Sequence, residues 1–323
     1  VQAPDSRATL RPLGVGEVLD RAVNLCVTYF LPLATIYVVY AIPVGILGYF
    51  SSQGLAHVFQ AFTDASQAAH GHPTFEQINA ALVGAQSNSP LAFLLIGFSL
   101  LASPLPAAAL IDATTAYYLK RTSSFAQAYR VALDRYFPML GVSLLYLLGG
   151  GFAYFIVIVV AVFLILGLVL VTSAAKAVGI VLSIVLGTAF ALALIAFFIV
   201  LVLAWQIAYF TCVVERASFT SAFATSLKRT LSGIGIKRSL LIGLIFFAIS
   251  LIISIVTALG EGLIVGLVHS TVLATIYETI VRILTAAFTT AFIGIFYLDL
   301  RVREEGLDLQ LQAQQLGTAL AAP

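Results

Sequence analysis

Six stretches of this chain are each long and apolar enough to fill a lipid bilayer, and that excludes most folds at once. They run Phe30–Phe50, Leu91–Leu119, Pro138–Val171, Val178–Val214, Leu240–Leu259 and Thr271–Leu300. A spanning helix needs roughly 20 mostly apolar residues. Only 9% of the chain is charged and 61% is hydrophobic. A soluble domain carries about 25% charged residues, and no single core hides this much apolar surface. The expected class is all-α, a polytopic bundle of six transmembrane helices. It forms one membrane domain over 13–306, between a polar N-terminal segment 1–12 and a polar cytoplasmic tail 307–323. Residues Val1–Pro12 hold Arg7 and Arg11 without an apolar core, so no cleaved signal peptide is expected there and the first span directs insertion.

The third and fourth stretches are too long for a straight crossing, at roughly 50 Å each. They must tilt, kink or protrude. Gly149-Gly150-Gly151 is the expected bend in the third, and Pro104 and Pro106 should distort the second. Cys26 and Cys212 lie far apart, form no CxxC pair and read as small packing residues.

Orientation follows from lysine and arginine, which collect in cytoplasmic loops. There are sixteen. Fourteen fall before the first stretch, between the second and third, between the fourth and fifth, or after the sixth. Lys176 stands alone on the opposite side, and Arg282 lies within the last stretch. Both ends are therefore expected in the cytoplasm.

The chain also echoes itself. Ser124-Phe125-Ala126-Gln127-Ala128-Tyr129, with Leu133 and Arg135, matches Ser218-Phe219-Thr220-Ser221-Ala222-Phe223, with Leu227 and Arg229, at identical spacing. A weaker copy has Leu19, Ala22 and Val23, with Phe30-Leu31-Pro32 against Tyr136-Phe137-Pro138. Phe125, Ala128, Tyr129, Ala132 and Leu133 make one apolar stripe at helical spacing. The expected unit is a cytoplasmic interfacial helix followed by a transmembrane hairpin, repeated over 13–119, 120–214 and 215–300. Each unit starts and ends on one side, so the copies share an orientation, as parallel repeats do in some transporters. The competing reading is duplication that built a stable bundle and nothing more. In the long loop Ser51–Pro90, Leu55, Val58, Phe59 and Phe62 predict one short helix on the outer face. Thr74 and Gln77 open a second.

Three segments resemble a known family. Leu10-Arg11-Pro12-Leu13-Gly14-Val15-Gly16-Glu17-Val18-Leu19-Asp20-Arg21-Ala22 is similar to the opening of bacterial glycerophosphoryl diester phosphodiesterase membrane-domain proteins. Val213-Val214-Glu215-Arg216-Ala217-Ser218, with Ala222-Phe223 and Ser226, looks like their central motif. Tyr297-Leu298-Asp299-Leu300-Arg301-Val302-Arg303, running on to Leu309, resembles their closing signature, with Leu298 where a second tyrosine is usual. The resemblance spans nearly the whole chain. It implies the membrane module alone, because the family's name comes from a separate soluble hydrolase that begins with a His-Arg motif. No His-Arg pair is present here, and no room remains for a barrel of about 250 residues.

Within the apolar stretches, ionisable residues are functional candidates. Glu278 and Arg282 are four apart and share a helix face. They make either an interfacial ion pair or a substrate or proton site. Asp112 invites the same question, with an arginine as its expected partner. Gln206 and Trp205 read as interhelical glue and belt residues. His70-Gly71-His72 with Asp64 and Glu76 matches no closed metal geometry, so neither metal nor cofactor is expected. On the basic side, Arg130, Arg135, Lys228, Arg229, Lys237 and Arg238 are candidates for anionic lipid headgroups. Asp299, Arg301, Arg303, Glu304, Glu305 and Asp308 form a charged knot, either closing the bundle or docking a cytoplasmic protein.

No phosphate loop, nucleophile–base pair or dinucleotide fingerprint occurs. The expectation is a non-enzymatic protein of the bacterial inner membrane that scaffolds or regulates an envelope assembly, contacting lipids and cytoplasmic partners but no nucleic acid. The alternative is a transporter or lipid flippase with its site between the repeats. A polar cavity near Asp112 or Arg282 separates the two readings.

Overall fold

The computed structural model describes residues 12–68, 89–174 and 176–306. Those residues are helical, joined by short turns. In chain order the helices are α1 (Val15–Thr28), α2 (Phe30–Ala68), α3 (Ser89–Ala102), α4 (Pro104–Tyr118), α5 (Phe125–Ala174), α6 (Lys176–Val214), α7 (Phe219–Leu231), α8 (Gly233–Leu263) and α9 (Thr271–Glu305). A π-helical turn, Ile264–Val268, extends α8. Six segments are long and apolar enough to cross a membrane: Phe30–Ser51, Leu94–Tyr118, Phe125–Ser173, Lys176–Val214, Gly235–Val268 and Thr271–Glu304. The six are compatible with a multi-pass membrane protein.

Local chemistry sets the helix ends. Ser218, Ser232 and Ser270 stand before α7, α8 and α9, and each side-chain oxygen accepts a first-turn backbone N–H. These are the donors a helix start leaves unpaired. At α1, Glu17 accepts the N–H of Gly14 at 2.7 Å. The last helix stops at Gly306, whose φ of 61° lies in the left-handed region that glycine tolerates. Pro104 opens α4, and the chain breaks at Ser103, where the sequence places a distortion.

Three expectations need correction. α2 runs unbroken to Ala68, so the residues 55–62 assigned to a separate outer helix continue the first span. The second outer helix, at 74–82, lies outside the described residues. Next, Phe125–Leu133 is no separate interfacial helix, because α5 is one 50-residue helix from Phe125 to Ala174. Pro138 sits inside it, and the helix carries through Gly149–Gly151. A proline early in a helix removes one hydrogen bond, and the long apolar run on either side supplies enough others to continue. Finally, the apolar stripe on this part of α5 is narrower than the spacing suggests. Ala128 and Ala132 are fully buried, whereas Phe125 and Leu133 are exposed.

The centre of the fold is the second half of α9. Every residue from Ala291 to Leu300 is buried. Ten consecutive buried residues in a helix require neighbours on all sides. α9 touches α1, α2, α4, α6 and α8. Close approach depends on small residues, as expected where helices pack without a hydrophobic drive between them. A Cβ at Gly294 would sit 3.0 Å from the ring of Phe210, itself 1% exposed. The enclosed ring has no space to retreat. Gly294→Leu should therefore overpack the α6–α9 contact, at a cost of roughly 1–3 kcal/mol. A lower thermal midpoint in detergent solution, with helix content kept, is the expected reading.

Candidate functional site

Two polar constellations stand out, at opposite ends of α9. The first lies at the basic end. Glu215 follows the last turn of α6 and meets residues from α7 and α9. Arg229 donates to both its carboxylate oxygens, at 2.6 and 3.1 Å, and to the Thr211 hydroxyl at 3.3 Å. The Tyr297 hydroxyl donates to the same carboxylate. The Arg301 Nε is 3.6 Å away. Arg229 and Arg301 also place their guanidinium carbons 5.8 and 5.9 Å from the Tyr297 ring centre, within cation–π range. Burial alone would push the Glu215 carboxyl up. The hydrogen bonds from Arg229 and Tyr297, with the charges of Arg229 and Arg301, outweigh it and hold the group below the ordinary glutamate value of 4.5.

Asp299, two residues after Tyr297 on α9, is 2% exposed. It accepts from the backbone N–H of Leu13 at 2.7 Å, from Arg238 Nε at 2.6 Å and from Arg303 Nε at 3.1 Å. Arg238 and Arg303 donate in turn to the Leu13 carbonyl. Both polar atoms of one backbone unit are thus gripped by the same three side chains. The three segments quoted above, around Leu13, Glu215 and Tyr297–Arg303, converge here.

This placement divides the basic candidates. Arg229 and Arg238 are committed to internal carboxylates. So are Arg301, beside Glu215, and Arg303, paired with Asp299. Arg135 donates to the Arg216 carbonyl at 3.2 Å. Arg130, Lys228 and Lys237 are exposed.

The second constellation is a cavity of about 580 Å³ between α2, α4, α6, α8 and α9. Small-molecule sites commonly run from about 300 to 1,000 Å³. Along α9 its lining extends from Glu278 to Thr290, about 18 Å at helical rise. Glu278 and Arg282 line it and are ion-paired with each other. Glu261 of α8 joins them, and Gln206 and Trp205 line the same cavity. Asp112 does not line it. One of its carboxylate oxygens is buried without a hydrogen-bond partner, and no ion pair joins it to an arginine among the described residues.

Glu261 is the residue that the sequence reading passed over. The fifth apolar stretch ends at Leu259, whereas the helix runs through Glu261 to Leu263. The apolar run Leu263–Val268 beyond it was the available signal, because it carries the helix two turns further.

The lining holds both acceptors and donors, the latter including the Trp205 indole N–H, which is buried without a partner. Thr257, Thr285 and Thr290 each donate their hydroxyl proton to a carbonyl four residues back, at 2.7–2.8 Å. What they turn toward the cavity is acceptor lone pairs. With two carboxylates and one guanidinium, the ionisable lining carries net charge −1 in its ionised form.

No group of three or more histidine, cysteine, aspartate or glutamate residues suited to a metal occurs among the described residues. The His70/His72 cluster lies outside them. No protein family, curated protein or solved structure matches the chain.

The network at Glu215 gives a signed pH expectation. Its carboxyl is depressed on folding, so its contribution is complete above 4.5 and fades as pH falls through the lower folded value. Glu215→Gln should remove that acid-side slope of the thermal midpoint. It also leaves Arg229, 6% exposed, without its counter-charge. Breaking a buried pair in this way costs about 3–5 kcal/mol. Replacing both partners, Glu215→Gln with Arg229→Met, should recover much of the loss.

Proposed function

We propose that this chain is a multi-pass protein of a bacterial inner membrane that passes an amphipathic substrate across the bilayer through the cavity between its helices. Support comes chiefly from one observation, a mainly apolar cavity that holds Glu261, Glu278 and Arg282 within apolar helices. Ionisable groups inside a membrane are costly and are kept where they serve a pathway or a binding site. Placing all three within membrane-length apolar helices for packing alone would be an expensive choice, since apolar residues pack as well.

In this reading the basic end faces the cytoplasm, following the lysine and arginine bias. The three units of the sequence, 13–119, 120–214 and 215–300, are parallel repeats of a membrane module similar to the glycerophosphodiesterase membrane domains. Each contributes to the cavity: Tyr37 and Ile111 from the first, Gln206 from the second, Glu261 and Arg282 from the third. No bond-making chemistry is assigned to it.

The scaffolding alternative leans on charge at the basic face. Four of its arginines are engaged internally, Arg229 and Arg301 with Glu215 and Arg238 and Arg303 with Asp299. The exposed Arg130, Lys228 and Lys237 suit contact with anionic headgroups, at about 1 kcal/mol each near the surface.

A vesicle assay tests transport. Purified protein is reconstituted with phospholipid bearing a fluorescent headgroup, and dithionite is added to bleach the outer leaflet. Protein-containing vesicles should lose more than the outer half of the signal, as protein-free ones do not. Thr289→Trp, which fills the cavity, should slow that loss by roughly tenfold. Bleaching that stops at the outer half with the folded wild-type protein would overturn the proposal.

A further inference from the structure

Beside the cavity of Glu261, Glu278 and Arg282, on the other face of the α2–α9 contact, lies a second hollow of about 520 Å³. Its lining differs sharply in chemistry. Ile42, Ile46 and Phe50 of α2 face Ile276, Ile280 and Ile283 of α9. The two threonines in it, Thr275 and Thr279, donate their hydroxyls to Thr271 and Thr275 carbonyls at 3.0 and 2.8 Å, so little hydrogen-bonding capacity is left for a ligand. The floor is tight: a Cβ at Gly45 would fall 2.6 Å from the Thr279 hydroxyl oxygen.

The two hollows share a seam. On α9, Glu278 belongs to the cavity and Thr279 to the groove; Val281 and Arg282 belong to the first, Ile280 and Ile283 to the second. On α2, Tyr37 lines one and Val38 the other. One stretch of α9 thus presents charged side chains on one side and, together with α2, an aliphatic groove on the other. A molecule that satisfies both must be charged at one end and hydrocarbon at the other.

We infer that the substrate is a phospholipid with a primary-amine headgroup, its ammonium held at Glu261 and Glu278, its phosphate at Arg282, and one acyl chain lying in the α2–α9 groove. This rests on the cavity reading above and names its substrate class. Charge selects the headgroup. Two carboxylates suit a donor-rich cation, and the one guanidinium suits a phosphate. A lipid with a net negative headgroup would bring its charge to a lining that is already net negative. Hydrocarbon selects the groove, since a polar group there would lose its hydrogen bonds to water without replacement.

The test uses the full chain in vesicles doped with a phosphatidylethanolamine that carries a photoactivatable diazirine on one acyl chain. After irradiation, cross-linked residues are mapped by mass spectrometry. Label should concentrate on α2 and α9 around Ile42 and Ile280, above the level on the lipid-exposed apolar faces of α5 and α6. Unlabelled phosphatidylethanolamine should compete roughly tenfold better than phosphatidylglycerol. Glu261→Gln should erase that preference while keeping groove labelling. Ile280→Trp, at a position 53% exposed and so tolerant of bulk, should cut groove labelling and keep the fold. Uniform labelling of all apolar faces, or equal competition by the two lipids, would overturn the inference. Bleaching of the fluorescent lipid past the outer half without groove labelling overturns it too, and leaves the cavity reading intact. Groove labelling in a protein that moves no lipid overturns transport and leaves the lipid site standing.

Discussion

Two carboxylates, Asp299 buried and Glu215 half-buried, hold this bundle together at one end. Glu215 and Asp299 lie at the junction of α6, α7, α8 and α9 with the chain entering α1, and arginines from three different helices close on them. A buried charge without a partner is costly, so each carboxylate requires its arginines in place, and each arginine requires its helix. The network therefore acts as a register mark. Sliding α9 by one turn would strand Asp299 and Tyr297 together. The grip on both polar atoms of Leu13 extends the same logic to the start of the membrane domain, where side-chain packing alone would leave the chain direction loosely fixed.

The opposite end is built otherwise. There α9 is half-exposed, its residues Val272, Ile276 and Ile280 open on one side, and its charges are an i,i+4 pair beside Glu261. The packing that surrounds Ala291–Leu300 loosens toward Thr271, and both hollows lie along that less enclosed half. Rigidity and space are thus separated along one helix. A locked end fixes the helices relative to one another, while the loosely packed end leaves room for a guest. Concave sites between helices of bundles commonly arise this way, on a scaffold whose rigidity comes from elsewhere.

Much of this arrangement was legible in the sequence, for a physical reason. Hydropathy reports how many residues can replace water by lipid, so the six long apolar helices followed directly from composition and run length. The break at Ser103 followed from two prolines. Charged residues at the basic end were recognisable as a group, yet their pairing was not. Glu215 and Arg229 are fourteen apart, Asp299 and Arg238 sixty-one, and Leu13 and Asp299 286. Only tertiary packing brings such pairs together. Helix continuity also escaped local reading. Tertiary and membrane environments override the breaking tendency of one proline or a glycine triplet, which is why α5 is one helix and not two.

Glu261 shows how a boundary assignment decides a functional one. Placed in a loop, a glutamate between two glycines is an ordinary solvated residue. Placed two turns inside a helix that runs on to Val268, the same residue is a carboxylate facing an arginine and a second carboxylate across a mainly apolar cavity. Its surroundings change the sign of what the cavity favours. Glu278 and Arg282 alone form a neutral pair, with no preference between cations and anions. Glu261 makes the lining net negative, and the threonines, having given their protons to their own helices, add acceptors to the same side. The net charge of the cavity's ionised lining therefore rests on the one residue of Glu261, Glu278 and Arg282 that lies outside the i,i+4 pair.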